Sequence, residues 1–106
     1  MLSEQRKSER KLLRTRARVT MEGAAPASGR TNDLGANGIS INLPDPLAVG
    51  QAGQVSFDLL VDGKLVPVSA HARALYCIFS NGEYKVGFQF LNLELAAMTA
   101  VARFLR

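Results

Sequence analysis

From Gln54 to Phe90 the chain alternates apolar and polar residues with a period of two, interrupted at two turn dipeptides. Val55, Phe57, Leu59 and Val61 are in phase before Asp62-Gly63. Val66, Val68, Ala70, Ala72, Ala74 and Tyr76 then share one face of the run 64–80, with Ser69, His71, Arg73, Leu75 and Cys77 on the other. After Asn81-Gly82, Tyr84, Val86, Phe88 and Phe90 return in phase. Period two puts alternate side chains on opposite faces of a strand, and Asp-Gly or Asn-Gly supplies the positive φ angles of a tight hairpin. The second half of the chain therefore reads as antiparallel strands joined by two-residue turns.

The same period appears upstream. Thr15, Ala17, Val19 and Met21 alternate with Arg14, Arg16, Arg18 and Thr20. Gly23–Gly29 reads as a loop, residues 30–34 as a short strand, and 38–43 as a strand with Ile39, Ile41 and Leu43 on one face. Pro44–Gly53, with two prolines and two glycines, reads as a loop. The period changes after Phe90: Asn92 is expected to cap a helix over 94–105, with Leu95, Met98, Val101, Ala102 and Leu105 as its apolar stripe. Six short strands closed by one helix point to a small six-stranded antiparallel β-barrel, since closure removes exposed strand edges.

At 106 residues the chain forms one modest core and is too short for the strand–helix repeats of a doubly wound nucleotide fold. One cysteine, Cys77, and one histidine, His71, leave no disulfide framework and no Cys/His metal cluster. No apolar run approaches the ~20 residues of a membrane span, and the N-terminus lacks the apolar centre of a signal peptide. A cytoplasmic protein is expected, and the initiating Met favours a complete small protein over an excised domain. No nucleophile signature, carboxylate pair or phosphate-binding loop of the Walker type stands out, so the chain does not read as an enzyme.

Net charge is unevenly placed. Residues 1–18 carry seven basic and two acidic side chains, a net +5, whereas residues 19–106 carry six basic and seven acidic, a net −1. The sequence divides into a flexible basic arm over 1–13 and a barrel domain over 14–106. Such an arm suits an anionic partner: nucleic acid, a membrane surface or a small phosphorylated ligand. A nucleic-acid-binding barrel using this arm has less support, because the body is near neutral and shows no exposed aromatic stripe.

Two motifs sharpen the choice. Arg10 and Arg14 stand four apart just before a strand, and Asp33-Leu34-Gly35-Ala36-Asn37-Gly38 places a carboxylate ahead of two glycines three apart. Together they resemble the PilZ domain family of bacterial cyclic di-GMP receptors, whose pattern is R-x-x-x-R in the arm followed by [D/N]-x-S-x-x-G. The ending Val86-Gly87-Phe88-Gln89-Phe90 before the helix is similar to the family as well, and the likeness runs from about residue 9 to 105. The serine of the second motif is Gly35 here.

The resemblance implies a PilZ-like barrel with a C-terminal helix, no catalysis, no cofactor, and cyclic di-GMP as ligand. It implies ligand contacts from Arg10, Arg14, Asp33, Gly35 and Gly38, with Arg6, Lys11 and Arg73 as further candidates. The residue types suit that ligand: a guanidinium pairs with phosphate or with guanine O6/N7 and stacks on a base, and a carboxylate accepts from the guanine N1–H and N2–H₂ edge. Gly38 is expected to permit a tight turn. The resemblance further implies an arm that orders over the barrel when ligand binds and relays the signal to an effector protein. Gly35 keeps a second reading open: a degenerate PilZ protein that does not bind the nucleotide and acts through protein contacts.

Overall fold

The computed structural model describes residues 9–106. Seven strands and one helix follow in order: β1 (Arg10–Leu12), β2 (Arg16–Met21), β3 (Ala27–Gly35), β4 (Gly38–Leu43), β5 (Ala52–Val61), β6 (Lys64–Ser80), β7 (Glu83–Asn92) and α1 (Leu95–Leu105). All neighbouring strands are antiparallel. The strands run β3-β2-β5-β6-β7-β4, and β4 pairs back onto β3, which closes a six-stranded barrel. β1 is an additional strand. It shares with β2 one edge of β3, pairing with residues 33–35 while β2 pairs with residues 27–30.

The two hairpins form where the dipeptides predict them. Asp62 and Gly63 have φ of 51° and 79°, and Asn81 and Gly82 have 54° and 81°. The alternating apolar residues fill the barrel: Val19, Ile39, Ile41, Val55, Leu59, Val68, Ala72 and Val86 are all essentially inaccessible. Each large aliphatic side chain so buried contributes about 1.5–3 kcal/mol.

Several boundaries differ from the sequence reading. β3 starts at Ala27 and β5 at Ala52, inside segments read as loops. Residues 10–12, read as part of an arm, lie in β1. Tyr76 does not continue the inward phase of β6. The register with β7 shifts between Ala74 and Tyr76, and a bulge of this kind inserts one residue and turns the following side chains to the opposite face. Tyr76 is thereby exposed, and Cys77 packs against the core instead.

The helix also differs. Asn92 ends β7 opposite His71, and Glu94 occupies the N-cap without a side-chain cap bond. The buried stripe is Ala97, Ala100 and Val101, with Phe104 and Leu105 partly covered, whereas Leu95 and Met98 face solvent. Both stripes have helical spacing; the one with small alanines allows the helix to approach β5 and β6 closely. Arg103 ties the helix to the β5–β6 turn through Asp62 at 2.6 Å.

Candidate functional site

The β1–β3–β4–β7 outer surface brings together Arg10, Asp33, Gly35 and Gly38. β1 pairs Arg10 with Gly35 and Leu12 with Asp33, and β4 pairs Ser40 with Asp33 on the other edge of β3. Arg10 donates from Nε (3.0 Å) and from Nη2 (2.9 Å) to Asp33 Oδ1. Ser40 Oγ donates to the same oxygen at 3.0 Å. Ser40 is fully buried, so this bond to the carboxylate is shielded from solvent on the serine side. Asp33 Oδ2 receives no hydrogen bond among the described residues, and a carboxylate oxygen accepts two or more.

Gly35 lies directly under the Arg10 side chain. A Cβ at that position would sit 3.2 Å from both Cγ and Nη1 of Arg10 and 3.3 Å from the Glu9 carbonyl oxygen. The glycine thus lets the arginine lie flat on β3 and reach Asp33. Gly38 answers to a different constraint from the turn expected of it. Its φ is not positive, and a Cβ there would sit 2.2 Å from the Phe88 carbonyl oxygen. Only glycine lets β4 approach β7 this closely.

Arg14 stands on the connection between β1 and β2, and Thr31 holds that connection at both ends. The buried Thr31 hydroxyl donates to the Leu13 carbonyl and accepts from the Thr15 N–H at 3.0 Å. The Thr31 N–H donates to the Thr15 carbonyl at 2.9 Å, and the Leu13 N–H to the Asn32 carbonyl at 3.0 Å. Leu13 is buried between these bonds, and Arg14 projects from a fixed two-sided anchor. Its side chain is exposed and makes no hydrogen bond or ion pair among the described residues.

A hollow beside Arg10 completes the surface. Arg10, Leu75, Tyr76, Gly87 and Phe88 line about 220 Å³ of space. The Tyr76 ring covers Gly87: a Cβ there would lie 2.1 Å from Tyr76 Cε2. The bulge that removed Tyr76 from the core thus places an aromatic face next to a candidate arginine.

The remaining candidates lie apart. Lys11 turns to the opposite side of β1 and donates to the Arg106 main-chain oxygen at 2.6 Å. Arg73 is on the outer surface of β6, opposite Gln89, which in turn faces Gly38, and it donates to the Gly50 carbonyl at 2.8 Å. Arg6 lies outside the described residues. Sequence reasoning missed Ser40, Thr31 and Tyr76. The polar Ser40 in GISINL was a usable signal, because it falls on the face opposite Ile39 and Ile41; the bulge that exposes Tyr76 had none. Among the described residues no group of three or more His, Cys, Asp or Glu side chains is placed to hold a metal.

The family model of the PilZ domain matches residues 4–106. The chain belongs to the PilZ domain family. Solved structures share its fold at low sequence identity. The motility inhibitor MotI/DgrA of Bacillus subtilis superposes with a TM-score of 0.78 at 13% identity, over 90% of this chain and 46% of that one. This chain therefore spans about half the length of that relative. The PilZ domain of Escherichia coli YcgR, solved with c-di-GMP, gives a TM-score of 0.71 at 13% identity, over 93% of this chain and 87% of that one. The PilZ domain of CeSA from a cellulose-synthesizing bacterium gives 0.57 at 21% identity, over 92% and 95%. A comparison with curated protein sequences finds no match. Among the described residues no helix is long and apolar enough to cross a membrane.

Proposed function

We propose that this PilZ domain is a cyclic di-GMP receptor without catalytic activity, and that the nucleotide is read on the β1–β3–β4–β7 surface. The observation that carries this reading is Asp33: its carboxylate is held by Arg10 and Ser40 through Oδ1, while Oδ2 is left to accept from a guanine N1–H or N2–H₂. Arg10 and Tyr76 bound a hollow beside it, so a guanine stacks on the Tyr76 ring with the Arg10 guanidinium on its edge or face. Arg14 supplies a charge for a phosphate from its anchored connection. Gly35 lets Arg10 lie across β3 beside Asp33, and Gly38 lets β4 approach β7 beneath that surface.

The relay is the arm. β1 has three residues, all exposed, and pairs only with β3, which makes it an easily opened element. Ligand phosphates and bases that engage Arg10 and Arg14 together tie this segment to the barrel and order it, presenting a new surface to an effector protein. The fold relationship to the c-di-GMP-bound YcgR domain supports this reading. Calorimetric titration of cyclic di-GMP into wild type and Arg14→Ala tests it: saturable binding in the first and a loss of tenfold or more in the second is expected. Absence of heat and of amide chemical-shift change at high micromolar protein overturns it.

One observation favours a second reading. Arg10 lies on Gly35 and neutralises Asp33, so the two motifs satisfy each other without a nucleotide. A PilZ adaptor that has given up the ligand and works through protein contacts has the same ion pair. It predicts null calorimetry together with capture of one partner regardless of added nucleotide.

A further inference from the structure

A second cavity lies away from the motif residues. It measures about 700 Å³ and shares no lining residue with the Arg10–Tyr76 hollow. Three arginines line it: Arg16 and Arg18 of β2 and Arg30 of β3. The register sets Arg16 directly opposite Arg30, and Arg18 follows two residues on, on the same face of β2.

Like charges directly opposite across a strand pair are destabilising. Among the described residues no carboxylate lies within ion-pair distance of any of the three guanidinium groups. Three unneutralised guanidinium groups on one wall, at cross-strand and same-face spacing, are a charge arrangement that an anion relieves. Ser28 and Ser56, the partners of Arg18 on its two sides, add hydroxyl donors to the same wall.

The shape restricts the anion. Asp58 and Glu83 line the same cavity. A long polyanion crossing those residues meets repulsion, whereas a compact one seated on the arginines does not. The volume falls within the range of small-ligand pockets, and the guanidinium fork pairs in bidentate fashion with phosphoryl oxygens. We propose that this cavity is a second site, separate from the motif surface, that binds a compact phosphorylated small molecule through Arg16, Arg18 and Arg30.

The test uses inorganic pyrophosphate as probe, with binding followed by amide chemical shifts of the full chain. Shifts are expected at Arg16, Ser28, Arg30 and Ser56. Arg16→Gln/Arg30→Gln is expected to weaken pyrophosphate by about tenfold or more, since each lost charge-assisted bond is worth roughly that factor. That variant relieves like-charge repulsion, so it is expected to melt no lower than wild type, and single Arg30→Gln repeats the affinity measurement in a milder background. Arg10→Ala is expected to leave pyrophosphate binding intact, which separates this site from the motif surface. Equal pyrophosphate affinity in the double variant overturns the proposal. So do shifts reproduced by sodium chloride at matched ionic strength, or lost in Arg10→Ala. A short single-stranded oligonucleotide that binds more tightly than pyrophosphate, and loses that binding in the double variant, overturns the compact ligand in favour of a strand.

Discussion

Arg10 lies across Gly35 and gives both Nε and Nη2 to a single oxygen of Asp33, at 3.0 and 2.9 Å. The pair joins a three-residue edge strand to the barrel, and its side chains are 39% and 29% exposed. An ion pair this wet contributes at most about 1 kcal/mol. It is therefore a contact that a ligand can replace at little cost.

Arg10→Ala is expected to separate stability from binding. The melting temperature changes little, because β1 buries no core residue and the ion pair is solvated. Cyclic di-GMP affinity falls by about tenfold or more, because a charged donor and a stacking plane are lost together. Scanning fluorimetry beside calorimetry checks both halves. A large drop in melting temperature without ligand would show that Arg10 is structural instead.

Thr31→Val is expected to act on Arg14 without touching it. The hydroxyl bonds the buried Leu13 carbonyl and the half-buried Thr15 N–H, so its removal leaves each of these backbone groups with one partner fewer. The cost is about 1–3 kcal/mol. Amide exchange should accelerate at residues 13–15, and cyclic di-GMP affinity should fall because the connection carrying Arg14 loosens. Thr31→Ser, which keeps the hydroxyl, should restore both. Equal protection of Thr15 in wild type and Thr31→Val would exclude the anchor.

Gly38→Ala is expected to damage the fold and the site together. The added methyl would sit 2.2 Å from the Phe88 carbonyl oxygen, a backbone atom that moves only if β4 and β7 separate. Overpacking of this kind costs about 1–3 kcal/mol. Gly87→Ala is the contrast. Its methyl meets the Tyr76 ring, an exposed side chain that can swing outward, so stability should hold while the aromatic face beside Arg10 is lost. Urea denaturation of the two variants, read against their ligand affinities, separates the effects.

Much of this architecture was legible from local pattern. Alternation and two turn dipeptides suffice for β4 to β7 and for the hairpins at Asp62 and Asn81, because strand period and positive φ are local properties. The pairing of β1 with β3 was not. Arg10–Leu12 shows no alternation that separates it from an arm, and its strand conformation comes from the edge that β3 offers past the end of β2. Bulges were equally invisible. The shift between Ala74 and Tyr76 depends on how β6 meets β7, and it moved an aromatic residue from the expected core to the candidate site. The helix face was legible only in part, with Val101 and Leu105 inward as expected but Leu95, Met98 and Ala102 outward: two stripes fit the helical period, and only the surface of β5 and β6 decides between them. The motif arginine and aspartate were singled out by their resemblance to the family's pattern, whereas Ser40 and Thr31 acquire their roles from cross-strand partners distant in sequence.

Gly35→Ser restores the family's residue and is the most discriminating substitution. A Cβ at this position crowds Arg10 Cγ and Nη1 at 3.2 Å, which are atoms of a flexible, exposed side chain, so the barrel accommodates it. Crowding weakens the Arg10–Asp33 pair in the ligand-free protein and so releases both groups for the nucleotide. The new hydroxyl adds one hydrogen bond to the ligand, worth about 0.5–1.5 kcal/mol. The two effects have the same sign, and cyclic di-GMP affinity is expected to rise by roughly two- to twelve-fold with the melting temperature nearly unchanged. Calorimetry on wild type and Gly35→Ser reads the change directly. Gain of binding in Gly35→Ser where wild type shows none would identify the natural chain as the non-binding adaptor, with Gly35 as the single residue that closed its site. Weaker binding in Gly35→Ser than in wild type would show instead that Arg10 must lie flat on β3 to hold the ligand, and that the glycine is an adaptation to that pose.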